Sequence, residues 1–178
     1  MKTKLNQSKL KLAIVSAIVA GSMGLSATSY AATATGTMAV TTSVLMSCTI
    51  TAGAMTFASY DPTAAADNDS TATITSTCTS GGAAVITMSQ GGRAQGGSTD
   101  AIPLRAMFNG SEGAPEDLAY YLYSDSAGGT VWGNTSGSGK SITADGTAQD
   151  FTVHGRIPKT QTVSSGTYND SVLVTLTY

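Results

Sequence analysis

Few side chains in this 178-residue chain are equipped for chemistry: it carries one histidine, two cysteines and only 11% charged residues. A soluble domain averages about 25% charged. A nucleophilic triad would have to use His154. That residue alternates with apolar neighbours in Phe151-Thr152-Val153-His154-Gly155, and the chain has no Gly-x-Ser-x-Gly elbow. Gly133 to Ser141 imitates a phosphate loop, but five residues instead of four separate its first glycine from Gly139-Lys140-Ser141, and no helix pattern follows. Asp67-Asn68-Asp69 opens like a calcium loop, yet Ala72 stands where that loop needs glycine and no glutamate closes it; a turn is expected. Trp132, Tyr120, Tyr121 and Tyr123 could stack on a sugar, with core and edge packing as the preferred use. No enzyme, metal site or cofactor is therefore expected. The net charge of −2 gives no footprint for nucleic acid or an acidic membrane surface.

Cys48 and Cys78 are the remaining reactive pair. Their meaning depends on the compartment, and the first 31 residues bear on that. Lys2, Lys4, Lys9 and Lys11 precede an uncharged apolar run from Leu12 to Leu25, and small residues, Ser29 and Ala31, stand at the −3 and −1 positions of a cleavage site. This is the three-part pattern of a secretory signal peptide. The alternative is a membrane anchor, for which the apolar run falls short of about 20 residues. Cleavage after Ala31 would remove four lysines, leaving 5 Lys+Arg against 11 Asp+Glu and a charge of −6. The product would be exported and not membrane-spanning. In an oxidising compartment two cysteines suggest one bridge, with two buried thiols as the alternative.

The elements that must position these residues read as strands. Threonine and β-branched residues cluster between Gly, Asn, Asp and Ser punctuation, and helical periodicity is nowhere sustained. Candidate strands cover 34–50, 70–78, 83–89, 102–108, 118–124, 149–157 and 171–178, with Gly-rich connections at 91–97, 109–113 and 133–139. From Ala34 to Ile50 one face is mostly apolar (Met38, Val40, Val44, Met46, Cys48, Ile50) and the other mostly hydroxyl. At about 3.4 Å per residue such a stretch exceeds 50 Å, against a usual strand of about 5–6 residues. Two readings compete. It is two strands or a frayed terminus, or else only the part near Cys48 belongs to this domain and 34–42 is a free arm patterned for another core. At the other end Val172, Val174, Leu176 and Tyr178 alternate with Ser171, Leu173, Thr175 and Thr177. This fits a plain last strand, and equally a chain end that a partner must grip.

The ordered set Cys48, Cys78, Leu118-Ala119-Tyr120-Tyr121-Leu122-Tyr123, Val131-Trp132-Gly133, Gly155-Arg156-Ile157 and Gly166-Thr167-Tyr168-Asn169-Asp170 resembles the spore-coat-protein-U domain family, whose members include pilins of the archaic chaperone–usher pathway. The resemblance implies an all-β, incomplete immunoglobulin-like sandwich lacking its final strand, with an N-terminal donor-strand extension. After the signal peptide already read at 1–31, it implies a donor arm at 32–42 and a pilin domain at 43–178. A periplasmic chaperone would first fill the groove beside the C-terminal strand. At an outer-membrane usher, the arm of the next subunit would replace it, a form of β-augmentation. Met38, Val40, Thr42 and Val44 are the expected inserted face. Val172, Val174, Leu176 and Tyr178 are the expected acceptor and chaperone-binding strand. Head-to-tail contacts that do not close give a filament, so a shaft or adaptor subunit of a surface fibre, serving adhesion or biofilm formation, is expected. It would assemble with copies of itself or with other pilin subunits. A self-contained secreted β-sandwich that binds glycans is the competing expectation.

Overall fold

The computed structural model describes residues 30–110 and 117–178; the expected signal peptide up to residue 29 and part of the 109–113 connection lie outside them. The contacts divide the chain into two units, with the boundary between Thr41 and Thr42. In the first unit, residues 30–41 form no strand and are exposed throughout, Met38 at 84% and Val40 at 85%.

The second unit is all-β, with no helix among the described residues. Its strands are β1 (Cys48–Ala52), β2 (Asn68–Cys78), β3 (Ala83–Met88), β4 (Arg105–Phe108), β5 (Asp117–Tyr123), β6 (Lys140–Thr143), β7 (Ala148–Ile157) and β8 (Val174–Thr177). They form a five-stranded sheet in the order β1-β2-β7-β5-β4 and a three-stranded sheet in the order β6-β3-β8, with every pairing antiparallel. Period-two alternation does what pleating requires. On β2, Ile74, Ser76 and Cys78 are buried while Thr71, Thr73 and Thr77 face outward. Ala84, Ile86 and Met88 of β3 meet Val153 and Ile157 of β7 and Leu118, Tyr120 and Leu122 of β5 in one core, with Trp132 fully buried among them.

Four segments differ from the sequence-based expectation, each for a physical reason. Of 34–50, only Cys48–Ile50 is strand, because only there does β2 supply hydrogen-bond partners. The first expected strand past Gly97 begins at Arg105, since the fully buried Pro103 just upstream has no N–H to give a ladder. The last strand begins at Val174, because the Ser171 N–H donates to the Asp170 carboxylate (2.7 Å) and the Leu173 N–H to the Ser89 hydroxyl (2.9 Å). Asn68 and Asp69 open β2 and form no turn: Asp69 binds Arg156 bidentately at 2.7 and 2.8 Å from the neighbouring strand β7. In addition, β6 was not expected. Its four residues follow directly on a glycine-rich turn and hold a single apolar side chain, Ile142, too little for an alternation to show.

Cys48 and Cys78 form a disulfide between directly facing residues of β1 and β2, with Cα atoms 4.1 Å apart. Thr79 N–H donates to Ser47 C=O and Gly53 N–H to Thr73 C=O. This phase makes the cysteines a non-hydrogen-bonded pair, the closer of the two antiparallel spacings. The bridge fastens an edge strand that has a neighbour on one side only. Replacing both cysteines by serine is expected to lower unfolding free energy by about 3–4 kcal/mol, the loop-closure value for a separation of 30 residues. Urea denaturation measures it, and a loss below about 1 kcal/mol would show that β1 is held by its ladder and packing alone.

Candidate functional site

The two sheets end on one side in unpaired edges: β1 closes the five-stranded sheet and β8 the three-stranded one. On β1 the residues bonded to β2 are Ser47, Thr49, Thr51 and Gly53. By the alternation of an antiparallel ladder, the backbone groups of Cys48, Ile50 and Ala52 therefore point off the free edge. On β8, Leu173 C=O accepts from Ser89 N–H at 2.9 Å. The same alternation turns the N–H and C=O of Val172, Val174 and Leu176 away from β3. Rows of unpaired backbone groups of this kind are templates for another strand.

Between these edges the core is open. A cleft of about 450 Å³ runs between residues 52–57 on one wall and 168–174 on the other, with Ile74, Met88, Leu122 and Val153 beneath. A second opening of about 530 Å³ continues it past Ile50, Ser89 and Leu173. The apolar side chains around the opening, Ile50, Met55, Phe57, Val172 and Val174, are packed against the core yet only partly buried. A closed sandwich would bury such residues between its faces; here they stay half-exposed, with no described strand of this unit over them.

The expected site residues do not share one place. Val172 and Val174 line the cleft, while Leu176 is half-buried further along β8 opposite Ile86. Tyr178 lies beyond β8, 59% exposed, beside a separate hollow formed with Ala83 and Thr143. Met38 and Val40 belong to the first unit, and Thr42 and Val44 to the second, all four exposed. The inward alternation of the second unit begins at Met46, whose side chain crosses Gly82 so closely that no Cβ would fit there.

Polar residues in and behind the cleft wall went unrecognised in the sequence. Asp170, at the end of the Gly166–Asp170 segment, accepts hydrogen bonds from the Tyr120 hydroxyl at 2.5 Å and from the Gly92 and Ser171 N–H groups, each at 2.7 Å. Arg105, fully buried on β4, donates from Nε to Ser89 C=O (2.8 Å) and from Nη2 to Met88 C=O (3.1 Å) and Trp132 C=O (2.9 Å). Desolvation pushes its guanidinium down to about 10, with Tyr120 and Asp170 opposing that shift; it remains charged at neutral pH. Burial, then the bond to Asp170, raise the Tyr120 phenol above its ordinary range, so it stays a donor. The one signal in the sequence was Arg105 as a lone cation in the apolar run Ile102-Pro103-Leu104-Arg105-Ala106-Met107-Phe108.

The groups with chemical promise are used structurally. Trp132 donates its indole N–H to Ile86 C=O at 2.8 Å inside the core. Tyr120 meets Phe57 edge-on at 6.4 Å, and Tyr121 and Tyr123 stack on each other at 6.2 Å. His154 stands in β7 opposite Thr71 and Tyr123. The Gly133–Ser141 segment closes on itself through Gly133 N–H to Ser138 C=O and leads into strand β6. No cluster of three or more His, Cys, Asp or Glu suited to a metal occurs among the described residues, and no helix among them is long and apolar enough to cross a membrane.

Comparison with known proteins agrees with this geometry. The Spore Coat Protein U domain family matches residues 34–175. Protein U of Myxococcus xanthus is 37% identical, the match covering 95% of this chain and 98% of that protein. Among solved structures, the chain is similar in fold to the CsuC-CsuE chaperone–tip adhesion subunit pre-assembly complex from the archaic chaperone-usher Csu pili of Acinetobacter baumannii. The TM-score is 0.51 at 22% identity, over 76% of this chain and 40% of the matched one. An all-β unit with two free edges around an open core, carried by a sequence matched along most of its length, belongs to the Spore Coat Protein U domain family.

Proposed function

We propose that this chain is the structural subunit of an exported surface fibre, polymerising by donation of residues 32–42 and the positions that follow into the cleft of a neighbouring copy or of another pilin subunit. The observation that carries this reading is the pair of unpaired edges, β1 and β8, on either side of an apolar cleft. A single extended segment would satisfy the outward-pointing N–H and C=O groups of Val172, Val174 and Leu176. Its alternate side chains would cover the half-exposed core, which is the division of labour in strand addition. Met38, Val40, Thr42 and Val44 have the required period. Burying each Met or Val is worth roughly 1.5–3 kcal/mol, so several together with the ladder make dissociation slow. The donor segment and the cleft are different parts of the sequence, so a contact between copies is head-to-tail and generates a filament.

The same exposed cleft requires protection before assembly. A periplasmic chaperone that lends a strand, and an outer-membrane usher at which the arm of the incoming subunit replaces it, are the partners proposed. The solved relative in fold is itself a chaperone–subunit complex. Adhesion or biofilm formation is the role such a fibre would serve, and no catalytic activity is assigned. The glycan-binding alternative loses two of its four aromatic rings, since Trp132 and Tyr120 are committed to the core.

Removing residues 32–42 tests this reading. On heating and slow cooling, the chain from Ala32 is expected to form ladders of oligomers on unboiled gels, while the truncated chain stays monomeric and less stable. A full-length chain that remains a stable monomer under these conditions would favour the self-contained glycan-binding module.

A further inference from the structure

Asn169, Asp170 and Ser171 lie where the chain crosses from one sheet to the other. Asn169 exchanges backbone hydrogen bonds with Phe108 at the end of β4, at 2.9 and 3.0 Å, on the five-stranded sheet. Four residues later Leu173 bonds to Ser89, at the end of β3, on the three-stranded sheet. The crossing sits in the cleft wall, and its direction sets where Val172 and Val174 present their free edge. Among the described residues no strand spans the two sheets on this side, so side-chain ties reinforce the crossing.

The Asp170 carboxylate is placed to do so. One oxygen accepts from Tyr120 of β5, on the five-stranded sheet; the other accepts from Gly92 N–H, in the turn that follows β3. The receiving turn is shaped around it. Gly91 has φ +82°, and a Cβ there would lie 2.2 Å from the Asp170 Oδ2, so both the backbone and the space exclude a side chain. A carboxylate bonded to a phenol and two backbone N–H groups makes charge-assisted bonds, about twice as strong as neutral ones. Arg105 runs a parallel tie, from β4 to the carbonyls of Met88 and Ser89.

We infer that Asp170 is a positioning residue for strand capture: by pinning the crossing to Tyr120 and to the Gly91-Gly92 turn, it holds the acceptor edge in place in the unfilled cleft. This rests on the donor-strand reading above. Without the pin, the edge from Ser171 to Val174 would have to be ordered at the moment of binding, and that ordering lowers apparent affinity by the fraction of time it is misplaced.

The test follows uptake of a fluorescent peptide with the sequence of residues 32–47 by the full mature chain, alongside urea stability. Asp170→Asn is expected to slow and weaken uptake about tenfold, equivalent to ~1.4 kcal/mol. Tyr120→Phe, which deletes one hydrogen bond and keeps the ring, is expected to lower uptake less, by about threefold. Ile142→Val, on β6 away from the cleft, serves as the stability control and should leave uptake within about twofold. Uptake by Asp170→Asn that equals that of wild type overturns the inference; if that variant does not fold, unchanged uptake by Tyr120→Phe does so. A loss for Ile142→Val as large as for Asp170→Asn, at matched stability, also overturns it, because the effect is then one of stability alone. Wild-type monomer, separated from oligomers before mixing, that refuses the peptide overturns the donor-strand reading itself.

Discussion

Arg105→Met is expected to remove roughly 3–6 kcal/mol of folding stability, a large share of the 5–15 kcal/mol typical of a domain. Arg105 is fully buried and donates to the carbonyls of Met88, Ser89 and Trp132. Methionine fills much of the same volume and removes the cost of burying a charge, a swap that is often neutral when both partners of an ion pair leave together. Here the partners are backbone carbonyls and they stay. Each carbonyl left without a donor costs about 1–3 kcal/mol, and this outweighs the relief of desolvation. Lysine should recover only part of the loss, because a point-like ammonium cannot reproduce the fork that reaches three carbonyls at once. Trp132 is the sole tryptophan and lies at this junction, so its fluorescence across a urea titration reads the effect directly. A Met variant within about 1 kcal/mol of wild type would mean that the three carbonyls find other partners at little cost.

Under the strand donation proposed above, Val174→Asp should leave a folded monomer that does not polymerise. Val174 opens β8 opposite Met88, lines the cleft and is only partly buried, so water can still solvate a carboxylate there while the cleft is empty. Once a donor strand covers the position, the same carboxylate would be sealed in an apolar seam without a cation to pair with. An unpaired buried charge costs several kcal/mol, so oligomer formation is expected to fall by at least about a hundredfold, the equivalent of ~2.7 kcal/mol. Thr175→Asp is the control: it puts the same charge one residue away, on the exposed outer face. Ladder formation after heating and cooling, scored on unboiled gels, separates the two. Equal loss in both variants would locate the sensitivity in the charge of β8 and not in its cleft-facing side.

Most of the strands were legible because each half-buried strand writes its burial into the sequence with period two. Thr71, Thr73 and Thr77 facing out while Ile74, Ser76 and Cys78 face in is that code in its plainest form. It ran beyond the strands at 34–47 and at 171–173, where the same period continues through residues outside β1 and β8. Alternation records what a side chain is patterned to pack against; it does not record which chain supplies the partner. The code was silent at Lys140–Thr143, too short to hold two apolar positions on one face.

The polar ties at the cleft were beyond sequence reasoning for a different reason. Asp170 stood within a quoted motif and Arg105 stood alone in an apolar run, but a carboxylate or guanidinium acquires its role from partners 50 and 17 residues away. Nothing local encodes those pairings. Residue order alone fixed the all-β character, the two faces of each strand and the apolar stripe from Met38 to Ile50, because these follow from backbone geometry and water. Which edges were left without neighbours, and which charged groups hold them in place, depended on how the eight described strands divide between two sheets. That division is settled only when distant segments compete for the same core, and so only the folded chain decided it.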